Sequence, residues 1–393
     1  MLITRYFIVN YMWVKKMTFP KKTSKQCPVF KKYFSDLQDP RRINKGHYYY
    51  PLDELLFLTI AAIISGMDNW TSISNFGKLK IDWLRIYFPF ENGTPSHDVL
   101  GKVFAQIDAN KFSECFSNWI NELSEITKGE VVAIDGKTIR KSNDKNLDKR
   151  PFHVVSAYAT ENRVCLGQQC VDEKSNEITA IPQLLELLVI KDCIITIDAM
   201  GCQKAIAKKI IEKDAHYVLM VKDNQKTLKN DIEATFSLET PVQSSKKQDI
   251  GHGRIETRIC EVTDNLTLVK SENKWKGFKT IVKISSERID KHSKKSSTEI
   301  RYYMSSLLAD ANHLNDIIRK HWSIENNLHW VLDVVFNEDY SLKKKGQSAL
   351  NYNIMTKVAL CLIEKEKSLK RSKIIKRQSA ALNDNYRAKV LKI

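Results

Sequence analysis

The chain has 393 residues, with 63 Lys and Arg against 46 Asp and Glu, a formal net charge of +17 and a pI near 9.3. That length exceeds what one hydrophobic core usually serves, so two or more domains are expected, and the basic excess favours a polyanionic partner, either nucleic acid or an anionic membrane surface. Eight scattered cysteines with no CxxC pair exclude a zinc knuckle and a disulfide scaffold and read as cytosolic free thiols.

The opening "MLITRYFIVNYMWVKKM" has an apolar stretch of signal-peptide length, but a lone Arg5 and no small-residue cleavage pattern. Residues 1–24 therefore read as an upstream extension, with Met17 a candidate start. Residues 25–128 read as a small all-helical domain. "LDELLFLTIAAIISGM" is a buried helix stopped by Gly66; its apolar run from Leu55 to Met67 is interrupted by Thr59 and Ser65 and is too short to span a bilayer, so no membrane partner is expected. In "DNWTSISNFGKLKIDWLRIYF" Asp68 or Thr71 can cap a helix and Gly77 breaks it, and "TPSHDVLGKVFAQID" opens on a Thr-Pro-Ser cap. Such a bundle suits a helix-turn-helix DNA reader and, equally, a structural role.

After Glu130 the period changes: "VVAIDGKTI", "HVVSAYAT", "RVCLGQQCV", "CIITIDAM" and "HYVLMVK" read as strands, and "ITAIPQLLELLVI" and "QKAIAKKIIEKD" as helices. A three-strand meander followed by alternating helix and strand is a mixed α/β sheet, placed at residues 129–362. From about 240 to 306 the chain turns polar and strand-like, a β-rich insertion, and one long helix is expected over "LNDIIRKHWSIENNLHWVLDVVF". The tail, 363–393, carries ten Lys or Arg against three acids and reads as a solvated or frayed basic segment, with direct nucleic-acid contact as the alternative.

Two core strands lead straight into acids, Val131–Ile134 into Asp135 and Ile194–Ile197 into Asp198. A desolvated, unpaired carboxylate costs several kcal/mol, so each acid needs a cation, a hydrogen-bond network or a proton. Fourfold spacing puts His321, Glu325, His329 and Asp333 on one slowly drifting helical stripe. Oxygen-only clusters favour Mg²⁺ or Mn²⁺, and two such ions can run an in-line phosphoryl displacement. The two imidazoles orient Glu325 or meet phosphates. Lys137 and Arg140 follow the first acid, Lys204 and Lys222 the second, and Arg319 and Lys320 precede the third, a grouping suited to a DNA backbone.

With these residues in view, "AIDGKTIRKS", "TIDAMGCQKAIAKKI", "YVLMVKDNQ", "GHGRIETR" and "RKHWSIENNLHWVLDVVFNED" resemble the H-repeat-associated group of DDE insertion-sequence transposases. The likeness runs from about Cys27 to Glu364 and includes "DPRRINKGHYYYPLDELL" and "NGTPSHDVLGKVF", which resemble that group's associated N-terminal domain. It implies a ribonuclease-H-like mixed sheet, a catalytic and metal-binding triad of Asp135, Asp198 and Glu325, two Mg²⁺ or Mn²⁺ ions, terminal inverted repeats and target DNA as partners, a homodimer on paired ends, and a cytoplasmic, nucleoid-associated location in a bacterium. The wider family carries Tyr, Arg, Glu and Lys at spacings of three, four and seven, where this chain has Ile318, His321, Glu325 and Leu332, so those DNA contacts do not transfer. Arg319, His321 and Asn326 are the candidate substitutes; Asp333, Glu338 and Asp339 are fallback third acids. Competing functions on the same residues are a nuclease that never joins ends and a non-catalytic DNA-binding remnant.

Overall fold

A computed structural model describes residues 32–393 apart from 35, 42–48, 125, 144–149, 173–174 and 252; the extension at 1–24, Met17 and Cys27 lie outside the described residues. Helix α1 (Leu52–Ile64) is buried along nearly its whole length, as a helix without a polar face must be. Helix α2 (Trp70–Leu79) starts at a capping box in which Asn69 and Ser72 exchange hydrogen bonds. The cap is thus Asn69 and neither Asp68 nor Thr71. Gly77 does not break α2 but lies inside it, where a Cβ would come within 3.0 Å of Thr94. Helices α3 (His97–Gln106) and α4 (Ala109–Leu123) open on Ser96 and Asp108, whose side chains accept from first-turn amides.

The α/β part contains β1 (Val131–Thr138), β2 (His153–Ala159), β3 (Val164–Cys170), α5 (Glu177–Leu187), β4 (Ile194–Ile197), α6 (Lys204–Glu212), β5 (His216–Val221) and α7 (Lys226–Leu238). The insertion supplies β6 (Gln243–Gly251), β7 (Arg254–Thr263), β8 (Thr280–Asp290) and β9 (Ser296–Ser305). All nine strands form one sheet, ordered β3-β2-β1-β4-β5-β9-β8-β7-β6. The meander β1–β3 is antiparallel, β4 and β5 add parallel to β1, and β9 pairs antiparallel with β5. The insertion therefore extends the main sheet, a ribonuclease-H-like core, instead of forming a separate layer.

The remaining helices are α8 (Ala311–His321), α9 (Trp330–Val334), α10 (Ser348–Lys365), α11 (Lys373–Leu382) and α12 (Asp384–Leu391). Helix α10 packs on α1, α3, α4 and β3, so one apolar core joins the N-terminal helices to the sheet. Its polar residues are spent on those neighbours: Asn351 donates to the Phe104 and Ile107 carbonyls at 2.8 and 2.9 Å, and Lys357 to Ser156 Oγ and Gln168 Oε1 at 2.8 and 2.7 Å. No helix of the described residues is long and apolar enough to cross a membrane, and no disulfide joins the described cysteines to one another.

The expectation of a solvated or frayed tail is corrected: α11 and α12 fold back onto α1 and α10, with Lys376, Arg377 and Arg387 buried. Arg377 donates to the Ile63 carbonyl at 3.0 and 3.1 Å, to the Val335 carbonyl and to Asp68. Truncating one partner of such a buried network leaves the others unsatisfied. Arg377→Ala is expected to lower the unfolding free energy by about 2 to 3 kcal/mol in urea titrations, and an unchanged midpoint would refute that role.

Candidate active site

The parallel ladder between β1 and β4 ends with Ile134 opposite Ile197, and the next residue on each strand is an acid, so Asp135 and Asp198 stand at the same level. The sequence expectation that the first strand stops at its acid is corrected. β1 runs on to Thr138 against β2, with Asp135 opposite Ser156; what ends at Asp135 is the pairing with β4. The reason is that β4 turns away: Asp198 caps a single 3₁₀ turn, Ala199–Gly201, accepting from the Met200 and Gly201 amides at 3.0 and 3.4 Å. A Cβ at Gly201 would sit 2.2 Å from Ile197 Cγ2, so this turn requires glycine.

The long helix expected across Glu325 is interrupted. After α8 the chain widens into a π turn at Glu325–His329 before α9 resumes, a local feature found often at functional sites. The fourfold stripe therefore splits among partners. His321 Nδ1 lies 2.9 Å from Thr196 Oγ1 on β4, and His329 Nδ1 lies 3.4 Å from Asp135 Oδ2. Asp333 pairs with Lys137, while Glu325 stays exposed.

Burial pushes the Asp135 carboxyl up to about 7; the Gly136 amide opposes this, and Asp198, Glu177 and Glu325 add to it through space. Burial and Glu177 also raise Asp198, against the Gly201 and Met200 amides and Lys222. Burial, with Lys357, Lys137 and His153 nearby, pushes His329 down to about 3, and burial takes His321 down to about 4. Both imidazoles are therefore neutral near pH 7. His329 Nε2 is buried without a hydrogen-bond partner.

Among the described residues no three His, Cys, Asp or Glu converge as a ready-made metal cage. The chemistry of the set nonetheless fits a hard divalent cation: Asp135 and Asp198 are half-buried carboxylates, both raised by burial, and the charges of Asp198, Glu177 and Glu325 all act on Asp135. Asp135, Asp198 and Glu325 are the oxygen donors that could hold it.

The fallback acids are already committed. Lys137 Nζ lies 2.6 Å from Glu338 Oε2 and also pairs with Asp333, and Arg140 lies 3.3 Å from Asp339. Lys137 thus ties β1 to the segment after the π turn. Lys204 and Lys222 are exposed, as are Arg140, Arg319 and Asn326. Arg319 and Asn326 also line a cavity of about 580 Å³ between α8, the π turn and strands β7–β9, together with Arg254, Arg288, Arg301 and Trp322. Two side chains that carry no signal in the sequence, His153 and Glu177, lie beside the candidate acids.

Residues 126–362 match the family described as "Transposase DDE domain", and residues 31–120 match its companion, "DDE_Tnp_1-associated". The chain belongs to the DDE transposases. Its relatives include YncI of Escherichia coli O157:H7, 44% identical over 366 residues, covering 91% of this chain and 93% of that protein. YhhI of Escherichia coli K12 is 41% identical over 349 residues, covering 86% and 92%. Both carry "transposase" in their names, the second as H repeat-associated. Among solved structures, the piggyBac transposase synaptic complex with hairpin DNA is similar with a TM-score of 0.47 at 11% identity, covering 93% of this transposase and 81% of that chain.

Proposed function

We propose that this transposase hydrolyses phosphodiester bonds at the ends of its element and joins the freed 3′-hydroxyls to target DNA, with Asp135, Asp198 and Glu325 as its metal-holding acids. The observation that carries the reading is the placement of Asp135 and Asp198 at one level of two parallel core strands, with the charge of Glu325 acting on Asp135. Two Mg²⁺ or Mn²⁺ ions, when bound, supply activation of a water or a 3′-hydroxyl and stabilisation of the leaving oxygen. The chain's own residues do the rest. Asp135 and Asp198 gain a reason to be ionised, neutral His329 adds no competing charge beside Asp135, and Lys137 fixes β1 against Asp333 and Glu338.

The arginine-lined cavity beside Glu325 is the surface we assign to DNA phosphates, with exposed Arg140, Lys204 and Lys222 around the acids. Two copies would hold paired ends, in the cytoplasm and at the nucleoid when on DNA. Arg254→Ala and Arg319→Ala are each expected to weaken duplex binding and to reduce the slope of log K against log salt by about 0.9, measured by fluorescence anisotropy across salt concentrations. Unchanged slopes would move the DNA elsewhere.

The deciding assay incubates DNA carrying the gene's flanks with the transposase and Mg²⁺ or Mn²⁺, then scores cut ends and joined products. Both products support the proposal. Cutting without joining favours a nuclease, and metal-independent binding with neither product favours a DNA-binding remnant.

A further inference from the structure

Glu177 is the first residue of α5, after Asn176, whose Oδ1 accepts from the Ile178 amide at 3.0 Å. By sequence it is an ordinary first-turn acid. In space it is not. Its Oε1 lies 2.6 Å from His153 Nε2; His153 stands opposite Thr138 in the β1–β2 ladder, with Nδ1 2.9 Å from Thr138 Oγ1. A Cβ built on Gly136 would fall 2.1 Å from Glu177 Oε1 and 2.5 Å from His153 Nε2. The pair thus occupies the space over the residue that directly follows Asp135, and only glycine leaves it room. Nor is the carboxylate remote from the second strand acid, since its charge acts on Asp198 as well as on Asp135.

We propose that Glu177 is a fourth carboxylate of the metal-holding centre, and that His153 is its positioning residue. This rests on the assignment of Asp135 and Asp198 as metal-holding acids. The hydrogen bond from His153 engages Oε1 and is itself oriented through Thr138, so the carboxylate is held by two strands of the sheet as well as by its own helix. A bridge that served only to tie α5 to β2 would have no need to lie against Gly136. With the side chain only 19% exposed, the position is too enclosed for an ordinary solvated acid.

The substitution Glu177→Gln keeps the shape and the acceptor for His153 and removes the charge. Mn²⁺ binding to the full-length, DNA-free transposase, followed by electron paramagnetic resonance, is expected to weaken about tenfold in E177Q, by less in His153→Gln, and most in Asp135→Asn. Cleavage by E177Q should recover in part at higher Mn²⁺, whereas a merely structural role would lower the melting temperature and leave the Mn²⁺ dependence unmoved. Wild-type Mn²⁺ binding by E177Q alongside loss in D135N overturns the inference and leaves the triad standing. Wild-type binding by both variants overturns the triad and the inference together. If E177Q does not fold, Glu177→Asp, which withdraws the charge by one methylene, must show the weakened binding, and normal binding there refutes the proposal.

Discussion

Asp135→Asn, Asp198→Asn and Glu325→Gln are each expected to slow single-turnover cleavage of end-containing DNA by at least about 10³-fold, roughly 4 kcal/mol of transition-state stabilisation. DNA affinity at fixed salt should not fall. The two halves of this expectation have separate causes. Phosphate affinity is what we assign to the arginine-lined surface, whose lining includes none of the three substituted residues. The acids repel one another and, where DNA approaches, repel phosphate, so removing one leaves binding unchanged or slightly tighter. Asp333→Asn and Glu338→Gln should behave differently, because each strips a partner from Lys137 and so costs stability as well as rate. Should E325Q cut at the wild-type rate while D333N is dead and folded, the third acid is Asp333, and the ion pair with Lys137 must open when metal binds.

Part of this site is legible in the amino-acid sequence itself. A strand buried on both faces has no solvent to hydrate a charge, so the acids of "VVAID" and "IITID" each announce an anomaly, and the parallel pairing of Ile134 with Ile197 brings both anomalies to one level. The π turn is not legible there. Ile317, Ile318, Leu328 and Val331 fit a straight helix about as well, and the interruption shows only in the partners that His321, His329 and Asp333 find on β4 and β1. Glu177 is hidden for a similar reason, since an acid after an Asn cap already has a local explanation. The tail misleads because charge density marks solvent only when the hydrogen bonds are made to water. Those of Arg377 go to carbonyls more than forty residues away or to Asp68, and no local pattern encodes that.

A second large effect concerns protons. Without metal, Asp135 holds its proton up to about pH 7, against an ordinary value of 3.8. Between about pH 4 and pH 7 the folded chain therefore carries a proton that the unfolded chain has lost. The unfolding free energy must fall as pH rises through that window and level off above it. About three pH units at 1.36 kcal/mol each bound the effect at roughly 4 kcal/mol. His321 and His329 act in the opposite sense. Their folded forms stay neutral down to about 4 and about 3, so they add stability as pH rises toward 6.5. Wild type alone thus mixes the two trends, while the difference between Asp135→Asn and wild type isolates the carboxyl. In EDTA that difference should be small at pH 4.5 and grow in favour of the variant to at most about 4 kcal/mol at pH 8. Adding Mn²⁺ at pH 8 should stabilise wild type and leave the variant nearly unmoved, because metal binds the ionised form and must displace the proton. At pH 5 the same addition should do little to either. A gap independent of pH, measured by chemical denaturation, would mean that Asp135 ionises as an ordinary surface acid, and the physical case for a cation beside it would fail.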